Sequence, residues 1–217
     1  MKHPALAAAL AAASLAAVLA AAPPALAQVY GTYASAEILP VNGHQAGFFL
    51  NASDRTLAGL AQLRLSFYPG IDFGFQGGLA RVSWKQGDRT TLRLGSDLRI
   101  AVAHAGEGFP FDIALDGGLG VESSDSYHVL TLMPGAVASR PISMGENGSI
   151  APYVGLGLAF ANVDAGATQQ TFVTLPLRLG ADLRIMPGMR LSAELQIPIG
   201  NAFNESVGVA TGVNLPF

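Results

Sequence analysis

Two groups of residues in this chain have the types and spacing to do chemistry. The first is Asp125, Ser126 and His128, a carboxylate, a hydroxyl and an imidazole in one short stretch. A hydrolase uses these types to activate an alcohol as nucleophile. Here they are near neighbours in a single loop, not gathered from several strands, and no hydrolase motif surrounds them, so hydrolysis is the weakest function left open. His44, His104 and His128 are far apart and the chain has no cysteine, so no metal ligand set is predicted. Gly117-Gly118-Leu119-Gly120 and Gly155-Leu156-Gly157 have the glycine content of a phosphate loop. Neither opens a helix, which such a site needs. The sequence therefore predicts no catalytic residue and no cofactor.

The second group is ionic and much larger. Leu92 to Ile100 reads LRLGSDLRI, and Leu177 to Ile185 reads LRLGADLRI. Each stretch alternates, so a strand puts leucines on one face and Arg93, Asp97 and Arg99, or Arg178, Asp182 and Arg184, on the other. The same polar face extends to Asp112, Asp116, Arg190 and Glu194 and takes in Arg64, Asp72 and Glu122, with Arg81 joining past a bulge. Positive and negative residues nearly balance there, set among glycines and alanines. That is the composition of a lumen. Arginine over lysine fits sheltered ion pairs, because the planar guanidinium forks onto carboxylates. The spacing places Asp182 between Arg184 and Arg190, and Arg99 opposite Asp112 across the Gly106 turn.

The elements that must position these charges are strands. Val29 to Leu39 is predicted as the first, followed by a loop from Pro40 to Asp54 that contains Asn42-Gly43 and Phe48-Phe49. Leu57 to Tyr68 alternates cleanly and ends at the turn dipeptide Pro69-Gly70. Ile71 to Trp84 changes parity at Gly77-Gly78, the mark of a glycine bulge. Tyr127 to Ser139 is apolar on both faces in places, which leaves its orientation open. No helical period occurs after the leader, and turn signals recur between strands. The expected fold is all-β: a closed antiparallel up-and-down transmembrane barrel of about ten strands, with eight as the alternative. Most strands have about 11 to 14 residues, enough to cross a bilayer when tilted.

The amino-terminal part reads as a leader. Lys2 and His3 precede an alanine-rich run that ends in Ala25-Leu26-Ala27. That order predicts a signal peptide over 1–27 and a barrel over 28–217. Export to an oxidising compartment would permit disulfides, but without cysteine the strand framework must hold the fold. A formal charge of -3 with only two lysines excludes nucleic acid as a partner.

Aromatic residues sort to the strand ends, with Phe67, Phe73, Phe109, Phe111 and Phe217 by one set of turns and Trp84, Tyr127, Phe160, Phe172 and Phe203 by the other. Two belts around an aliphatic band suit a lipid-facing wall. On this pattern the chain resembles the small bacterial outer-membrane β-barrel proteins, the group of opacity, OmpA-type and OmpW-like barrels. The most specific part of the likeness is the last strand, where Val213, Leu215 and Phe217 end in a carboxy-terminal phenylalanine, although Pro216 and the short loops depart from the pattern. The resemblance implies a bacterial outer-membrane location, insertion by the barrel assembly machinery, and outer-membrane lipid and lipopolysaccharide as partners. Three functions stay open: a structural or surface-binding barrel with a largely closed lumen, a porin-like channel for small solutes, and a hydrolase. Oligomeric state is not legible.

Overall fold

The computed structural model describes residues 33–84, 87–106, 108–125, 127–145, 148–164, 169–186, 188–201 and 207–217. The expected signal peptide, Gln28, Ser126 and Phe203 lie outside them, as do the side chains of Trp84 and Tyr127. The described chain forms β1 (His44–Ser53), β2 (Thr56–Tyr68), β3 (Ile71–Trp84), β4 (Gly87–Ala103), β5 (Asp112–Ser124), β6 (Tyr127–Ser139), the short β7 (Ile142–Ser143), β8 (Ser149–Gly157), β9 (Ala159–Asp164), β10 (Gln169–Met186), β11 (Met189–Asn201) and β12 (Gly208–Pro216).

Every named pairing is antiparallel, and β12 pairs with β1, from Gln45 opposite Pro216 to Ser53 opposite Gly208. The sheet closes and leaves no edge, which a wall in hydrocarbon requires. β8 and β9 are one strand in effect. Both lie between β6 and β10, and the register is the same on either side of Leu158. Pro134 stands opposite that break, with no amide to donate, and the Leu158 N–H still reaches the Pro134 carbonyl at 2.8 Å. Counted this way, the barrel has ten strands.

The wall has the reverse polarity of a water-soluble barrel. On β2 the inward residues include Gln62, Arg64 and Ser66, all buried, while Leu57, Leu63 and Phe67 on the other face are exposed. β4, β5, β10, β11 and β12 alternate in the same sense, with Leu94, Leu119, Leu179 and Leu191 outside and Arg93, Asp116, Arg178 and Glu194 inside. β6, whose orientation the sequence left open, turns Val129, Thr131, Met133, Val137 and Ser139 inward and Leu130 and Leu132 outward. Its inner face is mostly apolar, so the two faces had no contrast to read.

Two sequence expectations are corrected. The tenth strand is not Val29 to Leu39 but β1, which occupies most of the stretch expected to be a loop. The described part of the former, residues 33–39, runs inside the barrel, with Tyr33, Ser35, Ala36 and Leu39 buried. It turns back at Pro40 to Gly43, where the Gly43 N–H bonds the Pro40 carbonyl at 2.8 Å and Asn42 takes a φ of 60°, a left-handed conformation that asparagine tolerates. In β1, Phe48 then points outward and Phe49 inward. The expected bulge at Gly77-Gly78 is also absent. Pairing with β2 runs in constant register from Thr56 opposite Val82 to Leu65 opposite Phe73. Val82 consequently faces inward, and Arg81 faces outward, exposed and bonded to Asp88 at 2.7 Å.

Candidate functional site: the lumen and the segment inside it

The polar residues of the wall meet in three groups along the barrel axis. Near the end that carries His44 and Phe217, Asp72 joins two arginines. Its Oδ1 accepts from Arg64 Nη1 at 2.5 Å and Arg99 Nε at 3.0 Å, and its Oδ2 accepts from Arg99 Nη2 at 2.6 Å. The second guanidinium nitrogen of Arg64 reaches Asp97 at 2.7 Å. All four side chains are buried, a depth at which unpaired charges would be costly.

Farther along, Arg178 pairs with Asp116 at 2.5 Å, and the Tyr153 hydroxyl donates to Glu194 at 3.0 Å. Gln196 also donates to Glu194. Inward glycines make this possible. A Cβ on Gly155 would run into the Arg178 guanidinium, and one on Gly180 into the Tyr153 ring. Toward the opposite end, Arg93 pairs with Glu122 at 3.0 Å, and Thr91 donates to the same carboxylate at 2.8 Å. Beyond them the lining turns apolar, with Ala58, Ala80 and Val82 in one cluster and Val129, Ala161 and Val163 in another.

Residues 33–39 thread these groups, a course that no sequence pattern signals. The N–H of Ser35 donates to Asp182 at 2.8 Å, that of Ala36 to the Ser139 hydroxyl at 3.1 Å, and that of Leu39 to Asp72 at 3.3 Å. Arg99 donates to the carbonyls of Ser35 at 2.5 Å and Glu37 at 3.3 Å. Buried backbone groups need partners, and here wall side chains supply them in place of a neighbouring strand. Tyr33 stacks on Phe49 with ring centroids 4.6 Å apart. Glu37 is held by two arginines: Arg190 donates through Nη1 and Nη2 to its two oxygens at 3.0 and 3.1 Å, and Arg184 donates at 2.9 Å.

Further expectations change with this geometry. Asp182 does not sit between Arg184 and Arg190; it accepts from Ser35 and from the Ser192 hydroxyl at 2.7 Å, and Glu37 takes the place between the arginines. Arg99 does not meet Asp112. Asp112 accepts from the Ala105 N–H at 2.8 Å and lies near His104, while Arg99 is taken by Asp72 and the lumenal segment. Of the expected belts, Phe67 and Phe160 are exposed on outward strand faces and Phe109, Phe111 and Phe217 are exposed beside strand ends, and Phe73 lies beside Phe67 at 6.4 Å. Phe172 is the exception. Its parity on β10 is inward, and it packs against Val129, Ala161 and Val163. Val213 and Leu215 share the outward face of β12, and Phe217 follows it, exposed. An apolar concavity of about 1420 Å³ also opens on the outer wall, where Gly59, Ala61, Gly77 and Ala193 leave the surface low between leucines.

At the opposite rim the described residues contain one arrangement the sequence missed. The hydroxyl of Ser123 lies 2.8 Å from His128 Nδ1, the two standing opposite each other on β5 and β6. Asp164 stands opposite His128 on β9. The Ser123–His128 pair is exposed, and an activated nucleophile of this kind needs a third group to orient the imidazole.

No protein-family model matches the chain, and no curated protein sequence matches it. Solved structures do. The COG4313 outer membrane channel from Pseudomonas putida F1 is 17% identical with a TM-score of 0.52, over 88% of this chain and 100% of that one. The β domain of the Bordetella autotransporter BrkA is 14% identical with a TM-score of 0.50, over 82% of this chain and 100% of that one. At these identities the likeness is one of fold: a closed antiparallel barrel of the kind found in the outer membrane.

Proposed function

We propose that the protein is an integral outer-membrane barrel whose lumen is closed by its own amino-terminal segment and by paired charges, in a structural or surface-binding role. The observation that carries this reading is the course of residues 33–39 through the barrel, with wall side chains on Ser35, Ala36, Glu37 and Leu39. The outward leucines and phenylalanines support the location, since an apolar wall of this extent belongs in hydrocarbon and not in water. Outer-membrane lipid and lipopolysaccharide are then its surroundings. The refolded protein should migrate differently before and after boiling, and the native protein should fractionate with the outer membrane and begin at Gln28. In a planar bilayer only small or flickering conductance is expected. Steady steps as large as those of a general porin would reject the closed lumen.

A small-solute channel is the second reading, and one observation favours it. Residues 33–39 are held by side chains and not by a strand ladder, so their departure would leave the ten-stranded wall hydrogen-bonded as before.

The last strand is assigned the assembly signal. Leu215 and Phe217 lie close to one rim, where a carboxylate on the lipid face costs only about 0–1 kcal/mol. Energetics alone therefore predicts that the Leu215→Asp, Phe217→Asp double variant still inserts. Recognition of the strand by the insertion machinery predicts loss of most folded protein from the membrane in cells, with refolding into detergent retained. Normal insertion in cells would remove the signal from these residues.

A further inference from the structure

Arg184 and Arg190 stand directly opposite each other on β10 and β11, on the inward face and toward the end of the barrel that carries His44 and Phe217. Like charges directly opposite across a sheet repel, so this pair calls for an anion. The anion present is Glu37, supplied from outside the wall. Its two oxygens take a forked donation from Arg190 and a third bond from Arg184, the geometry by which guanidinium groups recognise a carboxylate. Among the described residues the wall offers no equivalent. Asp182, the nearest acid along β10, is engaged by Ser35 and Ser192, and Asp72 by Arg64 and Arg99. Glu37 and both arginines are partly exposed, with side chains 41%, 38% and 17% accessible, so a solute entering this end of the lumen can reach them.

We infer that Arg184 and Arg190 form a binding site for carboxylate-bearing solutes at this end of the lumen, and that Glu37 is the chain's own occupant of it. The inference deepens the closed-barrel reading by giving the lumenal segment a competitor. A carboxylate ligand would make the same forked bonds, and its affinity in the intact protein is lowered by the high local concentration of Glu37.

The test uses the full mature chain refolded in detergent, with citrate as the probe and calorimetric titration as the readout. Glu37→Gln removes the competing charge, and its folding is checked by the shift on heating. Citrate should bind this variant at least tenfold more tightly than the wild type. Adding Arg184→Gln and Arg190→Gln to Glu37→Gln should abolish that binding, and either arginine change alone should weaken it. Equal affinity in wild type and Glu37→Gln, or binding that survives loss of both arginines, would overturn the assignment. Conductance is recorded separately. Large steps from the wild type would sink the closed-lumen reading, whereas the citrate titration decides the carboxylate site whether or not the barrel conducts.

Discussion

Replacing Asp72 by alanine is expected to destabilise the barrel by about 3–5 kcal/mol, the range for removing one partner from a buried charge cluster. Asp72 accepts from Arg64 and Arg99 together and also holds the Leu39 N–H. After its removal Arg64 keeps Asp97, but among the described residues Arg99 keeps only the carbonyls of Ser35 and Glu37, and a buried guanidinium without a counter-charge is the main cost. The figure belongs near the lower end of the range if water enters. Asp97 Oδ2 makes no hydrogen bond with any described residue, so the lumen is not saturated with protein partners. The check is the urea midpoint of the refolded protein, followed on gels. A second variant, Asp72→Ala with Arg99→Met, should recover part of the loss, because removing both charges costs less than stranding one. If the double variant is less stable than Asp72→Ala alone, the cluster is not held together by the pairing described.

The barrel was legible because lipid outside and ions inside place opposite chemistry on the two faces of a strand. Where that contrast holds, as in Leu57 to Tyr68 or the two LRLG stretches, alternation reports the orientation of every residue. Where it fails, so does the reading. β6 carries Val129, Met133 and Val137 inside and Leu130 and Leu132 outside, and no pattern separates apolar lumen from apolar exterior. Phe172 was misplaced for the same reason: an aromatic residue near a strand end suits the headgroup level, but the far end of this lumen is also apolar. Residues 33–39 expose another limit. An extended chain bonded by wall side chains and one bonded by a neighbouring strand draw on similar residues, and only the fold distinguishes them.

Partner choice within the lumen was less legible still. Local spacing put Asp182 with Arg184 and Arg190, all within one hairpin. The actual carboxylate is Glu37, 147 and 153 positions away from the arginines it binds. Ion pairs form where side chains of matching reach meet across the interior, and inward parity alone leaves several candidates for each charge. The corrected position of Glu37 changes what the hairpin does, since its two arginines depend on a segment that is not part of the wall.

Gly78→Ala is expected to prevent assembly of most of the protein, although it adds one methyl group. A Cβ at Gly78 would overlap the carbonyl oxygen of Gly59 and press on the Cα of Leu60, both backbone atoms of the adjoining strand. A side chain could rotate away, but these atoms move only if β2 and β3 separate. Leu60 stands opposite Gly78 in the ladder, and pairing continues on both sides, so relief at this point strains the neighbouring hydrogen bonds. Overpacking in an interior costs about 1–3 kcal/mol when side chains can adjust, and a clash with backbone should reach or exceed the upper figure. Gly59→Ala and Gly117→Ala are the controls. A Cβ at either meets nothing within 4 Å, so both should assemble within about 0.5 kcal/mol of the wild type. Gly78 thus serves close approach between strands, not a change of register. Normal folding of Gly78→Ala would show that β2 and β3 lie farther apart at this position.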